Sequence, residues 1–281
     1  MKKYKTQKTT IALSFALAII ISGCQKIMDY IHLPGNGDAV LNICQIKTIT
    51  TDDEYGADYV FNYNKRGDLE SIITNELQPG NANRFFIYDN KHRVSQLLFS
   101  HGATVDAEAP MDAWRVFEYN NLNQIIKVNT YRFGYNGPNG GIPSSFWTTE
   151  IATLQYDANN RVIASRDSIW DNGVFWANYN YAFKYDERGN LIFSVQQFRS
   201  QNTNYNDTSR FNPSDYDNKI SIRRTNKIWM FLEKNYSVNN RFKAETYNSY
   251  GLPLTFDSWQ TDLNNFIGNM KGNAIVEYRC K

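Results

Sequence analysis

Residue types able to do chemistry are few in this 281-residue chain. Histidine occurs three times, as His32, His92 and His101, and none stands at the spacing of a Ser-His-Asp, Cys-His or His-x-x-x-His arrangement. No glycine-rich loop leads from a strand into a helix to cradle a phosphate. A nucleophile–base pair, a zinc centre and a cofactor are therefore not expected. Paired carboxylates are another route to hydrolysis, because glycosidic cleavage needs only two acids at a set separation. Glu118, Glu150, Glu187, Glu245 and Glu277 lie in or near strand-like segments; solvated strand faces are the simpler account of them. Asp52-Asp53-Glu54 and the trio Asp106, Glu108 and Asp112 offer oxygens to calcium, but neither has the spacing of a helix-loop-helix calcium site, so no metal site is assigned.

Aromatic side chains are the better lead. There are 6 Trp and 19 Tyr. Flat rings stack on sugar faces, and Trp147, Trp170 and Trp176 lie in or beside loops. The run from Trp170 to Trp176 (WDNGVFW) reads as a hairpin tip flanked by two tryptophans. These three are the candidate ligand-binding residues; cross-strand packing of the sheet is the alternative.

One more reactive group stands near the start. Lys2, Lys3, Lys5 and Lys8 precede an apolar run from Ile11 to Ile21, followed by Ser22, Gly23 and Cys24. A basic segment, a short apolar segment and small residues at a cut make a signal peptide, here 1–23. The run is shorter than the about 20 residues that span a bilayer. Ile21-Ser22-Gly23-Cys24 resembles the lipobox of bacterial lipoproteins, with Ile where Leu is usual. That resemblance implies lipid on the Cys24 thiol and a membrane partner reached through it, with outer-membrane attachment as the expected location. Residues 24–38 then read as a tether and 39–281 as a single folded domain.

Removing 1–23 takes away four lysines and no acid, so 30 cations against 28 acids become 26 against 28. No basic stripe remains to bind nucleic acid. With Cys24 lipidated, Cys44 and Cys280 form an even pair in an oxidising compartment, at opposite ends of the folded region. A bridge would staple the last strand to the first and contribute on the order of 4–5 kcal/mol by chain entropy; two buried free thiols are the alternative.

The rest of the chain repeats a cassette. Tyr63, Tyr88, Tyr119, Tyr156, Tyr185, Tyr236 and Tyr247 are each followed by Asp, Asn or Ser. Four residues after each comes Gly67, His92, Asn123, Asn160, Gly189, Asn240 or Gly251; six after, Leu69, Val94, Ile125, Val162, Leu191, Phe242 or Pro253. A type I turn closed by one left-handed residue fits this pattern, because Gly, Asn and His tolerate positive φ. Tyr and the residue six later should then face each other across two strands.

These cassettes resemble the YD repeat (Tyr-Asp-x-x-Gly-Arg-Leu) of bacterial surface and toxin-shell proteins. Tyr88-Asp89, Tyr156-Asp157 and Tyr185-Asp186 carry the pair, and Arg93, Arg161 and Arg241 the arginine. The longer pattern, with Tyr216-Asp-Asn-Lys219 and the cassettes at Tyr236 and Tyr247, resembles Bacteroidota-type lipoproteins with degenerate YD (RHS-like) repeats, a group without an agreed activity. Segments 134–145 and 201–217 read as surface loops and 103–112 as an acidic loop with a helical turn. Trp229-Met-Phe-Leu232 reads as a short buried element, a helix in preference to a strand.

The expected fold is all-β: an antiparallel meander of about seven repeated hairpins in a curled or barrel-like sheet. The expected function is that of a non-catalytic envelope protein binding a glycan or a protein partner at the cell surface. A purely structural envelope component and a carboxylate-based glycosidase are the alternatives.

Overall fold

The structure is a computed structural model that describes residues 37–137, 140–143, 149–201, 206–261, 263, 268 and 270–281. Its strands are β1 (Cys44–Thr51), β2 (Tyr59–Tyr63), β3 (Leu69–Thr74), β4 (Asn83–Tyr88), β5 (Val94–Ser100) and β6 (Ala109–Tyr119). They continue with β7 (Ile125–Gly137), β8 (Gly140–Pro143), β9 (Glu150–Tyr156), β10 (Val162–Asp171), β11 (Val174–Tyr185), β12 (Leu191–Ser200) and β13 (Asn206–Phe211). Helix α1 (Lys227–Glu233) precedes β14 (Thr246–Tyr247), β15 (Pro253–Asp257) and β16 (Asn273–Cys280). All strands form one open antiparallel sheet, ordered β13-β12-β11-β10-β9-β7-β6-β5-β4-β3-β2-β1-β16-β15-β14, with β8 paired to β7 alone.

Six of the seven cassettes are the expected hairpins. Gly67, His92, Asn123, Asn160, Gly189 and Gly251 all have positive φ. In each, the residue after Tyr bonds its N–H to the carbonyl four residues on, as Asp89 does to Arg93 and Asp157 to Arg161. The side chain there accepts backbone N–H groups in turn: Asp89 Oδ1 takes those of Lys91 and Arg93, and Asn248 Oδ1 those of Tyr250 and Leu252. The facing pairs are Tyr63–Leu69, Tyr88–Val94, Tyr119–Ile125, Tyr156–Val162, Tyr185–Leu191 and Tyr247–Pro253.

Just beyond each pair the register skips one residue, leaving Glu70, Ser95, Ile126, Ile163, Ile192 and Leu254 unpaired. Such bulges bend a strand and raise its twist. Tyrosine hydroxyls bond carbonyls beside them, each in the preceding hairpin. Tyr88 donates to Leu69, Tyr119 to Val94 and Tyr156 to Ile125, each at 2.8 Å; Tyr185 reaches Val162 at 3.5 Å. Tyr216 and Tyr278 continue the ladder to Leu191 and Pro253.

The seventh cassette, at Tyr236, is not a hairpin. Asn240 is absent from the positive-φ residues and is fully buried. Its backbone instead closes on Asp217: Asp217 N–H bonds Asn240 O, and Asn240 N–H bonds Asp217 Oδ1. Asp217 also accepts from Lys219 N–H, as Asp89 does from Lys91. Tyr216-Asp217 thus opens a repeat turn that Asn240 closes 23 residues later, where other copies close after four. The inserted segment carries α1.

Helix α1 fills the concave face. Asn226 caps it by accepting Ile228 N–H, and Lys234, at φ 48°, ends it. Trp229 is fully buried, edge-on to Phe61 of β2 and Phe86 of β4, while Phe231 is edge-on to Phe117 of β6. Lys234 then reaches Ser165 and Asp167 of β10. From β2 to β10 is seven strand spacings, about 34 Å if flat. A helix of this length spans only about 10 Å, so the sheet has to wrap around it.

Arg224 anchors the insert to the start of the described chain. Its guanidinium donates to the carbonyls of Gly37 (2.8 Å), Ala39 (2.9 Å), Tyr236 and Ser237, and burial draws its pKa down to about 10. Gly37 and Asp38, assigned to the tether from sequence, are therefore held within the fold. The sulfurs of Cys44 and Cys280 are bonded, and the two residues are direct partners in the β1–β16 register.

Three loop assignments change. Gly134–Gly137 continue β7, and Gly140–Pro143 form β8. Asn206–Phe211, read as part of a loop, form edge strand β13; Thr208, Ser209, Arg210 and Phe211 are exposed there, so no core pattern marks the strand in sequence. Ala109–Asp112 begin β6, and the turn expected in this segment lies before it, where Ala107 N–H bonds Thr104 O at 3.2 Å.

Candidate functional site

In an antiparallel meander, successive connections alternate between the two ends of the sheet. The six repeat turns therefore share one end, the tip end. The connections after β1, β3, β5, β10, β12 and β15 share the other, the loop end. Tyr55, Leu77, Phe133, Tyr135, Val174 and Trp259 are exposed at the loop end, while Leu122 is exposed in a tip-end turn.

Trp170 and Trp176 flank the β10–β11 turn as expected, with Asn172 and Gly173 at positive φ. Their rings part company. Trp170 is half-buried and edge-on to Phe175, its register partner. Trp176 is the extra residue of a bulge, 42% exposed, with its ring 5.9 Å from that of Phe198. Trp147 and Cys24 lie outside the described residues.

From Trp176 a strip of rings runs inward. Phe198 lies 4.9 Å from Tyr179, Tyr179 stacks on Tyr181 at 6.3 Å, and Tyr181 stacks on Phe183 at 6.3 Å with an interplanar angle of 3°. Strand alternation places Tyr179, Tyr181 and Phe183 on one face. Trp176 is exposed, Phe183 is buried and the rings between are half-buried.

The strip leads into a cavity of about 440 Å³ between the concave sheet and the end of α1. Arg115, Thr130, Glu150, Asp167, Tyr181 and Gln196 supply polar groups to its wall, with Lys234 from the helix end. Lys234 Nζ lies 2.7 Å from Asp167 Oδ2, 2.9 Å from Ser165 Oγ and 4.3 Å from the centre of the Tyr181 ring. Asp167 is 7% exposed, and its other oxygen, Oδ1, is buried without a hydrogen-bond partner. Arg115 packs over Phe99; burial lowers its pKa, and the charge of Glu150 opposes that shift. Burial likewise raises the Tyr181 phenol, helped by the charge of Asp167, so the hydroxyl is a donor at neutral pH.

The cavity thus joins apolar ring faces to polar side chains held in place by the sheet and the helix end, an arrangement that suits binding. Its two sheet carboxylates each have a cation, Lys234 for Asp167 and Arg132 for Glu150 at 3.7 Å. The other glutamates singled out above do not line it. Glu118 and Glu277 are exposed and bonded to Lys127 and Lys47; Glu187 and Glu245 are also exposed. His92 holds a turn, and His101 pairs with Asp112 at 3.1 Å. Asp52 is engaged by Asn273 and Asp112 also accepts from Gly80. Sequence reasoning passed over Asp167, Arg115, Tyr179, Tyr181 and Lys234. The period-two run Tyr179-x-Tyr181-x-Phe183-x-Tyr185 was the available signal.

No family model matches this sequence, and no curated protein matches it. Among solved structures, one similar chain is from a crystal structure of TcdB2-TccC3 without its hypervariable C-terminal region, at 12% identity and a TM-score of 0.27. The alignment covers 72% of this chain and 11% of that one.

Proposed function

We propose that this protein is a lipid-anchored envelope lipoprotein built on degenerate YD-type repeats, and that its loop end binds a glycan without cleaving it. The strip from Trp176 through Tyr179 to Tyr181, opening into a cavity lined by Arg115, Thr130, Gln196 and Lys234, carries this reading. Ring faces pack against the C–H faces of a sugar, while fixed donors and acceptors meet its hydroxyls. The repeat geometry supports the YD-type assignment, since turn aspartates and the arginines four residues later, Arg93 and Arg161, bond each other in two copies. The lipobox-like Ile21-Ser22-Gly23-Cys24 supports the lipid anchor, with the outer membrane as its proposed location. A screen of the protein against host and dietary polysaccharides, read by tryptophan fluorescence, tests the binding reading. Saturable binding is the expected result. Silence across a broad panel overturns it and moves the weight to a protein partner or a structural role.

A further inference from the structure

We infer that the tip end is a membrane-docking face, on which the row of repeat turns rests against an anionic phospholipid surface while the aromatic loop end points away. The inference rests on the lipid-anchor reading of Cys24 and adds an orientation to it.

The described chain joins the sheet at the tip end. Gly37 packs so closely on the β9–β10 turn that a β-carbon there would lie 2.2 Å from the Asn159 carbonyl oxygen. Twelve residues separate it from Cys24, a reach of at most about 45 Å when extended. An anchor on Cys24 therefore delivers this end to the bilayer first.

Charge follows the same axis. The turn aspartates fold back onto their own backbone, leaving the two central residues of each turn outermost. Those positions hold Lys65, Arg66, Lys91 and Arg188 against one acid, Glu187; taken whole, the six turns carry six Lys or Arg and five Asp or Glu, against one and eight in the loop-end connections. A trough of about 1030 Å³ opens among the turns, lined by Arg66, Lys91, Arg93, Lys227 and Lys281 against Asp38 and Asp68. Arg66, Arg93 and Lys227 have carboxylate partners in Asp68, Asp89 and Asp38. Lys65, Lys91 and Lys281 have none among the described residues, and all three are exposed. The loop-end connections are acidic instead, with Asp52, Asp53, Glu54, Glu76, Asp106 and Glu108; Lys271 is the single Lys or Arg in them. An anionic surface attracts the first end and repels the second.

The test uses full-length lipidated protein reconstituted into vesicles of phosphatidylglycerol with phosphatidylcholine, or of phosphatidylcholine alone. Acetylation rates of Lys65, Lys91 and Lys271 are read by mass spectrometry, together with the lipid on Cys24. Labelling of Lys65 and Lys91 is expected to slow several-fold on the anionic vesicles and to recover in high salt, with Lys271 unchanged. Equal rates on both vesicles, with Cys24 lipidated, overturn the docking face and leave the anchor intact. Protection of Lys271 instead reverses the orientation. A Cys24 without lipid overturns anchor and docking face together.

Discussion

Tyr119 shows how one repeat residue serves three neighbours. It faces Ile125, donates to the Val94 carbonyl at 2.8 Å and carries the Arg93 guanidinium 4.3 Å above its ring. Tyr119→Phe removes only the hydroxyl and strands a half-buried carbonyl, so a loss of about 1–2 kcal/mol is expected in urea unfolding. Tyr55→Phe, exposed at the loop end, should change stability by less than about 0.5 kcal/mol. Burial raises these phenols above their ordinary value, Tyr119 to about 12 and Tyr88, Tyr156 and Tyr185 further. In that window the folded state holds more protons than the unfolded chain. Stability is therefore complete below the unfolded tyrosine pKa, roughly 10, and falls as pH rises through the folded values. Phenolate absorbance from these rings should appear only with unfolding. At the left-handed sites, His92→Gly should stabilise by a few tenths to about 1 kcal/mol, and His92→Val should cost about 1–2. Those sites were legible because φ > 0 selects residue type directly. Asn240 was misread for the same reason: Asn is accepted at such a site but is equally at home as a buried bridge to Asp217.

Hairpins were legible as elements; what breaks their regularity was not. Edge strand β13 is all polar until Phe211 and gives no alternating core signal. Helix α1 was legible as a buried apolar run, yet nothing local tells that it is an insertion inside a repeat turn. That depends on Asp217 and Asn240 meeting across 23 residues. Since Trp229 contacts both Phe61 and Phe86 with no exposed surface, Trp229→Ala should cost about 3–5 kcal/mol and loosen the curl. Protection of β2–β4 amides from hydrogen exchange would fall with it. Replacing Cys44 and Cys280 by Ser removes the cross-link between the first and last strands over a separation of 236 residues. The midpoint of thermal unfolding should drop, and exchange should rise first along β1 and β16.

At the scale of the molecule, repetition decides polarity. Because the six hairpin cassettes sit on alternate connections, their turns accumulate at one end, where the α1 insert also begins, and the connections after β1, β3, β5, β10, β12 and β15 lie at the other. The sheet stays open, with edges β13 and β14, and wraps around an insert that the repeat pattern alone does not announce. The candidate site forms where the end of that insert meets β10, which is why Asp167 and Lys234, 67 residues apart, could not be paired from spacing. Two of the sequence candidates, Trp170 and Trp176, do flank one turn, but Trp176 alone joins the ring strip. The most direct test is titration of the best-bound glycan into the protein and into Trp176→Ala, Tyr179→Ala and Trp170→Ala. About tenfold or greater loss of affinity is expected for the first two, the equivalent of about 1.4 kcal/mol, and little change for the third. Undiminished binding by Trp176→Ala and Tyr179→Ala would contradict it.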